Sequence, residues 1–188
     1  MSLTPAAEFR LVAGAFSDRV DGVPAADWEA PAPVPGWTAR DVVGHLVDWL
    51  PGLLGAPVAD DIPAWTEDPA GAWQAHRAAV QSMLDEPDVH QRRLSNPHIG
   101  EVPIDDAINV YYTTDVFLHT WDLARATGQN DQLDPDRCAQ LLSGMRPAEE
   151  AMRASGQYGP AFPVAGDAPV QDRLLAFIGR DPGWRPGH

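Results

Sequence analysis

The chain contains no lysine and a single cysteine, and both absences narrow the field before any motif is read. With only Cys138, an intrachain disulfide, a Cys-x-x-Cys redox pair and a thiolate-rich zinc knuckle are all excluded, and a reducing cytoplasm is the expected compartment. Positive charge is scarce as well: 13 arginines face 27 acidic residues, a formal net charge of −14. Such a balance repels phosphate backbones and anionic membrane surfaces, so neither nucleic acid nor a lipid headgroup layer is an expected partner. No run approaches the ~20 apolar residues of a membrane span, and no basic start followed by an apolar stretch marks a leader. Neither Gly-x-Ser-x-Gly nor Gly-x-x-x-x-Gly-Lys occurs, which removes the nucleophile-elbow and phosphate-loop readings.

What is present is helical period punctuated by proline and glycine. At 188 residues the length suits one domain with a substantial core. Thr4 and Pro5 open a first helix whose Phe9, Val12, Phe16 and Val20 recur at three- or four-residue spacing, with a stop near Gly22. Thr38-x-x-Asp41 reads as a capping box, with Trp37 and Val42 placed as a hydrophobic staple, for a second helix reaching about Leu54. A long acidic crossover, Pro57 to Pro69, leads to a third helical face of Trp73, His76, Val80 and Leu84. Its length suggests that the second and third helices are not simple antiparallel neighbours. Arg92 to Pro103 is turn-rich, with at most a short extended excursion, and a fourth helix starts at about Ile104. Gly128 stops it. Asp134-Pro135 starts a fifth helix that Pro147 kinks or divides, and a short helix spans about Val170 to Ile178.

The fourth helix carries the chemistry. Ile104, Ile108, Tyr111, Asp115, Leu118 or His119, and Asp122 fall on one stripe, so Asp115 and His119 lie four apart on the face that the apolar residues mark as interior. Together with His45 on the second helix they offer a divalent cation two imidazoles and one carboxylate with positions left open. Buried without a cation, the same three groups would be costly. Asp48 and Asp122 each follow a ligand histidine by three residues and are placed to orient the rings, although Asp122 suits an arginine partner equally well. Trp49, Tyr111, Tyr112 and Trp121 are candidate pocket residues. His76 is the rival ligand, whereas His90, His98 and His188 belong to loops or the tail. Cys138 reads as a packed hydrophobe, not a nucleophile.

These segments, Gly36-Trp-Thr-Ala-Arg-Asp-Val-Val-Gly-His45-Leu-Val-Asp-Trp49 and Asp115-Val-Phe-Leu-His-Thr-Trp-Asp-Leu-Ala-Arg-Ala-Thr-Gly128, resemble the metal-binding domain of the mycothiol-dependent maleylpyruvate isomerases. The resemblance implies an all-α, DinB-like four-helix bundle with a long crossover between helices two and three and extra short C-terminal helices. It implies His45, Asp115 and His119 as ligands, with Asp115 standing where the family has glutamate. It also implies mycothiol as a thiol co-substrate activated at the metal, beside an electrophilic small molecule. A short form is expected, since 188 residues leave no room for the second domain that the isomerases add.

Softness of the donors admits Zn, Ni, Fe or Mn, with Zn the default. Metal-dependent thiol S-transfer or isomerase-like detoxification is the leading expectation. Metal-assisted hydrolysis with Asp48 or Asp122 as base, and a non-enzymatic metal-binding or stress module, stay open. Exposed tryptophans would favour a homodimer.

Overall fold

The structure is a computed structural model that describes residues 3–96, 100–154, 156 and 158–187; His98 and His188 lie outside the described residues. The fold is all-α and DinB-like, with one small hairpin.

Helix α1 (Pro5–Asp21) starts on Thr4, whose side chain accepts from the Ala7 N–H, and α2 (Ala39–Leu54) starts on the reciprocal capping box of Thr38 and Asp41. Two such bonds satisfy donors that the first turn cannot pair internally. Helix α3 (Pro69–Leu84) is capped by Asp68 with Pro69 in its first turn. An antiparallel hairpin, β1 (Arg93–Asn96) with β2 (Gly100–Pro103), follows in the register Arg93↔Pro103 to Asn96↔Gly100. The chain then runs through α4 (Ile104–Ala107), a π-helical turn (Ile108–Thr113) and α5 (Thr114–Ala126). Gly128 ends this run at φ +66°, a left-handed conformation that glycine adopts without strain. Beyond it lie α6 (Pro135–Met145), a 3₁₀ turn containing Pro147, α7 (Glu149–Ala154) and α8 (Val170–Phe177). Pro147 thus divides the fifth expected helix.

Helices α1, α2, α3 and α5 form the bundle. Each of α1 and α2 packs against both α3 and α5, so α1 and α2 stand diagonally across the ring. The crossover behaves as expected: α2 runs antiparallel to α5, α5 parallel to α1 and α3 antiparallel to α1, so α2 and α3 are parallel neighbours, and residues 55–68 carry the chain back along the bundle between them. Phe9, Phe16, Leu46, Leu50, Trp73, Ile108, Tyr112 and Leu123 fill the centre, and α8 adds Leu174 and Leu175. Full burial of each such side chain is worth roughly 1.5–3 kcal/mol. Of the seven tryptophans none is exposed, so the expectation of a homodimer loses its premise.

His76 sits in this core with no exposed surface, its ring 5.7 Å from Tyr112 and 6.4 Å from Trp73 between centroids. Neither ring nitrogen has a hydrogen-bond partner. Burial lowers its pKa to about 4, so the folded protein holds a neutral ring where the unfolded chain, near 6.5, takes up a proton. The unfolded state therefore binds more protons between these values, and stability falls as pH drops from about 6.5 to about 4. The full loss from this residue is about 3 kcal/mol. Urea titrations across that range should show this slope in the native protein and a shallower one in His76→Leu; equal slopes would mean that the ring is hydrated.

Candidate metal centre

Helices α2 and α5 lie side by side, which brings His45 on the first against Asp115 and His119 on the second. His45 Nε2 stands 2.9 Å from Asp115 Oδ2, and His119 Nε2 stands 3.5 Å from Asp115 Oδ1. One donor atom from each of the three residues lies within 4.8 Å of the others. The two rings meet edge to face with centroids 4.9 Å apart. His45 and Asp115 are partly open to solvent, whereas His119 is buried, and His45 borders a depression in the surface. Two imidazole nitrogens facing one carboxylate across this gap are a donor set suited to a divalent cation, and the residues fit the group that the sequence implied.

Behind His119 the arrangement is charged and dry. Its Nδ1 lies 2.9 Å from Asp122 Oδ2, a close ionic contact that is not aligned as a hydrogen bond. Asp122 has only 1% of its side chain exposed and receives the Arg180 guanidinium through contacts of 3.0 to 3.3 Å. Burial alone would push the Asp122 carboxyl up; the Arg180 charge and the His119 contact outweigh it and hold the carboxyl below its ordinary range. Burial likewise disfavours the His119 cation, but the charges of Asp115 and Asp122 prevail and raise its pKa. Tyr158 lies within the field of the site: burial, then the Asp115 charge, raises its hydroxyl. Arg180 and Tyr158 carry no sequence signal that links them to the site.

The remaining candidates divide. Trp49 and Asp48 line the depression, together with Trp37, Asp41, Gly44 and Trp65. Tyr112 lies beneath Trp49, stacked at 5.7 Å, with its hydroxyl donating to the Leu46 carbonyl at 3.0 Å. Three assignments need correction. Tyr111 is exposed and leaves the interior stripe, because the π-helical turn widens the winding and passes the inward position to Tyr112. Trp121 is fully buried under Arg125, 5.2 Å from its ring, nearly opposite His119 around the helix, and does not border the depression. Asp48 does not orient His45; its Oδ2 accepts the Trp65 Nε1–H at 2.9 Å.

Trp37, expected as a staple, stacks on His119 at 5.7 Å and meets His45 at 5.0 Å. His76 is not among the converging donors; its ring packs against Tyr112 and Trp73 in the core. His90 is exposed and pairs with Asp105 at 3.1 Å. Cys138 is buried, and burial followed by the Asp134 charge pushes its thiol up to about 11, unsuited to nucleophilic attack.

Residues 9–124, which include all three donors, match the family model described as the mycothiol maleylpyruvate isomerase N-terminal domain. The chain belongs to this family. Membership in the mycothiol maleylpyruvate isomerase N-terminal domain family ties it to mycothiol-related, metal-binding proteins. Two curated relatives, both from Mycobacterium tuberculosis, are the uncharacterized protein MT0763 of strain CDC 1551 and the uncharacterized protein Rv0738 of strain H37Rv. Each is 31% identical over 175 residues, spanning 88% of this chain and 92% of its own length. No solved structure matches the chain. Among the described residues no helix is long and apolar enough to cross a membrane.

Proposed function

We propose that the protein is a metal-dependent thiol S-transferase or isomerase-like detoxification enzyme, using mycothiol or a related low-molecular-weight thiol, with His45, Asp115 and His119 as the metal ligands. The observation that carries this reading is the convergence of two imidazole nitrogens and one carboxylate within 4.8 Å, with His45 bordering an open recess. When bound, a divalent cation, with zinc the default, supplies Lewis acidity that brings the pKa of a thiol at the site toward neutrality.

The chain's own residues do the rest. Asp122, fixed by Arg180, draws the Nδ1 side of His119 and leaves Nε2 facing Asp115. Trp37 covers both rings from above, and Trp49 packed on Tyr112 forms an apolar wall beside His45. These walls keep water from part of the site while the recess admits an exogenous thiol and an electrophile side by side.

The hydrolytic alternative lacks a good base. Asp122 is buried, ionised and clamped by Arg180, and Asp48 is engaged with Trp65.

Cobalt-loaded protein tests the proposal. Adding mycothiol or a simpler cysteinyl thiol should produce a sulfur-to-metal charge-transfer band that grows with pH through an apparent pKa below the free-thiol value of about 8.5. Asp115→Glu should keep the band, since it retains the carboxylate. Tight cobalt binding with no band from either thiol would reject S-transfer in favour of a non-enzymatic metal-binding module.

A further inference from the structure

The recess bordered by His45 has a volume of about 450 Å³, and its walls were assembled from three separate segments. Trp37 precedes α2, Trp49 belongs to α2, and Trp65 arrives from the crossover. The docking of Trp65 is built into α2. Gly44 lies under its indole so closely that a Cβ there would stand 2.6–2.7 Å from three ring atoms, and one turn on, Asp48 accepts the indole N–H at 2.9 Å. Arg40, one turn earlier, holds the adjacent Thr66 carbonyl at 2.6 Å. A glycine and an aspartate four residues apart thus make a seat for one aromatic side chain, and the crossover has the length to deliver it.

The charge of the recess is as specific as its shape. Asp41 and Asp48 border it, and neither has a cationic partner among the described residues. Asp48 is exposed and Asp41 half-buried, and elsewhere in the protein Asp122 is matched by Arg180, Glu8 by Arg137, Asp131 by Arg125 and Asp105 by His90. No arginine lines the recess, and Arg40 is turned away to Glu29 and Thr66. Aromatic faces present negative potential to a weakly hydrated cation, and nearby carboxylates add to it. An anionic electrophile such as a dicarboxylate would meet Asp41 and Asp48 with no guanidinium to receive it.

We infer that the box formed by Trp37, Trp49 and Trp65, with Asp41 and Asp48 at its border, selects a ligand whose outer end is an alkylated ammonium group. The cation selectivity stands on the recess itself; only the assignment of the ligand's other end as the reacting electrophile rests on the proposed function.

The probes are choline, its neutral isostere 3,3-dimethylbutan-1-ol and the carboxylate 3,3-dimethylbutanoate, titrated by calorimetry and tryptophan fluorescence at low ionic strength. Choline should bind about three- to thirtyfold more tightly than the neutral isostere, and the carboxylate more weakly than either. Trp65→Ala should remove most of this preference, and Gly44→Ala should do the same by unseating the ring. Asp48→Asn keeps an acceptor for the indole N–H and removes the charge, so it should reduce the preference in a protein whose fold is intact by circular dichroism. A neutral isostere that matches choline, or a carboxylate that surpasses it, overturns the inference. Metal analysis of the same samples separates the two ideas: bound metal without cation preference defeats only this one, and cation preference without metal defeats only the proposed function.

Discussion

Protein purified without chelator should carry about one divalent cation per chain, and alanine at His45, Asp115 or His119 should empty the site. Each residue supplies one of three donors, and a cation left with two protein ligands in a partly open site has little to hold it against water. Elemental analysis gives the result directly. His76→Leu serves as the internal control, because that ring lies in the core beside Trp73 and Tyr112 and its loss should leave the metal content unchanged. Asp122→Asn should retain the cation with affinity about 10- to 100-fold lower, the usual cost of losing the group that orients a ligand histidine. Full metal retention in all three alanine variants would refute the ligand assignment, and loss in His76→Leu would mean that the third helix contributes.

Arg180→Leu should destabilise the protein by about 3–5 kcal/mol, which at this chain length corresponds to a fall in Tm of roughly 10 °C or more. The magnitude follows from what is left behind. Asp122 is 1% exposed, and without the guanidinium its carboxylate is buried with only His119 as partner. Removing one member of a buried pair costs much more than the intact pair contributes, so Arg180→Leu combined with Asp122→Asn should recover a good part of the loss. Urea unfolding of the two single variants and the double variant measures the coupling. A loss under about 1 kcal/mol in Arg180→Leu would show that water reaches Asp122 and that the pair behaves like a surface one.

Much of this architecture was legible in local pattern. Thr4, the Thr38–Asp41 box, Gly128 and Asp134-Pro135 mark helix ends by chemistry confined to a few neighbouring residues, and the structure places helix ends there. The convergence of His45 with Asp115 and His119 followed from helical spacing together with the family pattern, because both place the donors on interior faces. What escaped has two physical causes. Tyr111 was assigned inward because a period of 3.6 was carried through residues 108–113, where the helix widens. The roles of Trp37, Trp65, Tyr158 and Arg180 depend on contacts from connectors and tail segments that have no period at all. Trp65 reaches Asp48 across 17 residues, and Arg180 reaches Asp122 across 58. Asp48 illustrates the limit: three residues beyond a histidine is a sound position for an orienting carboxylate, yet an aromatic side chain from the crossover claimed it first.

The π-helical turn between α4 and α5 has a consequence for length variation in this segment. It accommodates a residue that an ordinary helix would have no place for, so the segments before and after it are wound in different phases, offset by about 100°. Deleting one residue there would let an unbroken α-helix form at little backbone cost. Everything on its N-terminal side would then rotate as a unit, carrying Tyr112 out from beneath Trp49 and bringing a different side chain under the indole. A substitution at Tyr112 changes one contact, whereas a deletion beside it changes which residue occupies the floor, and in this stretch chain length specifies the site as strongly as residue identity does.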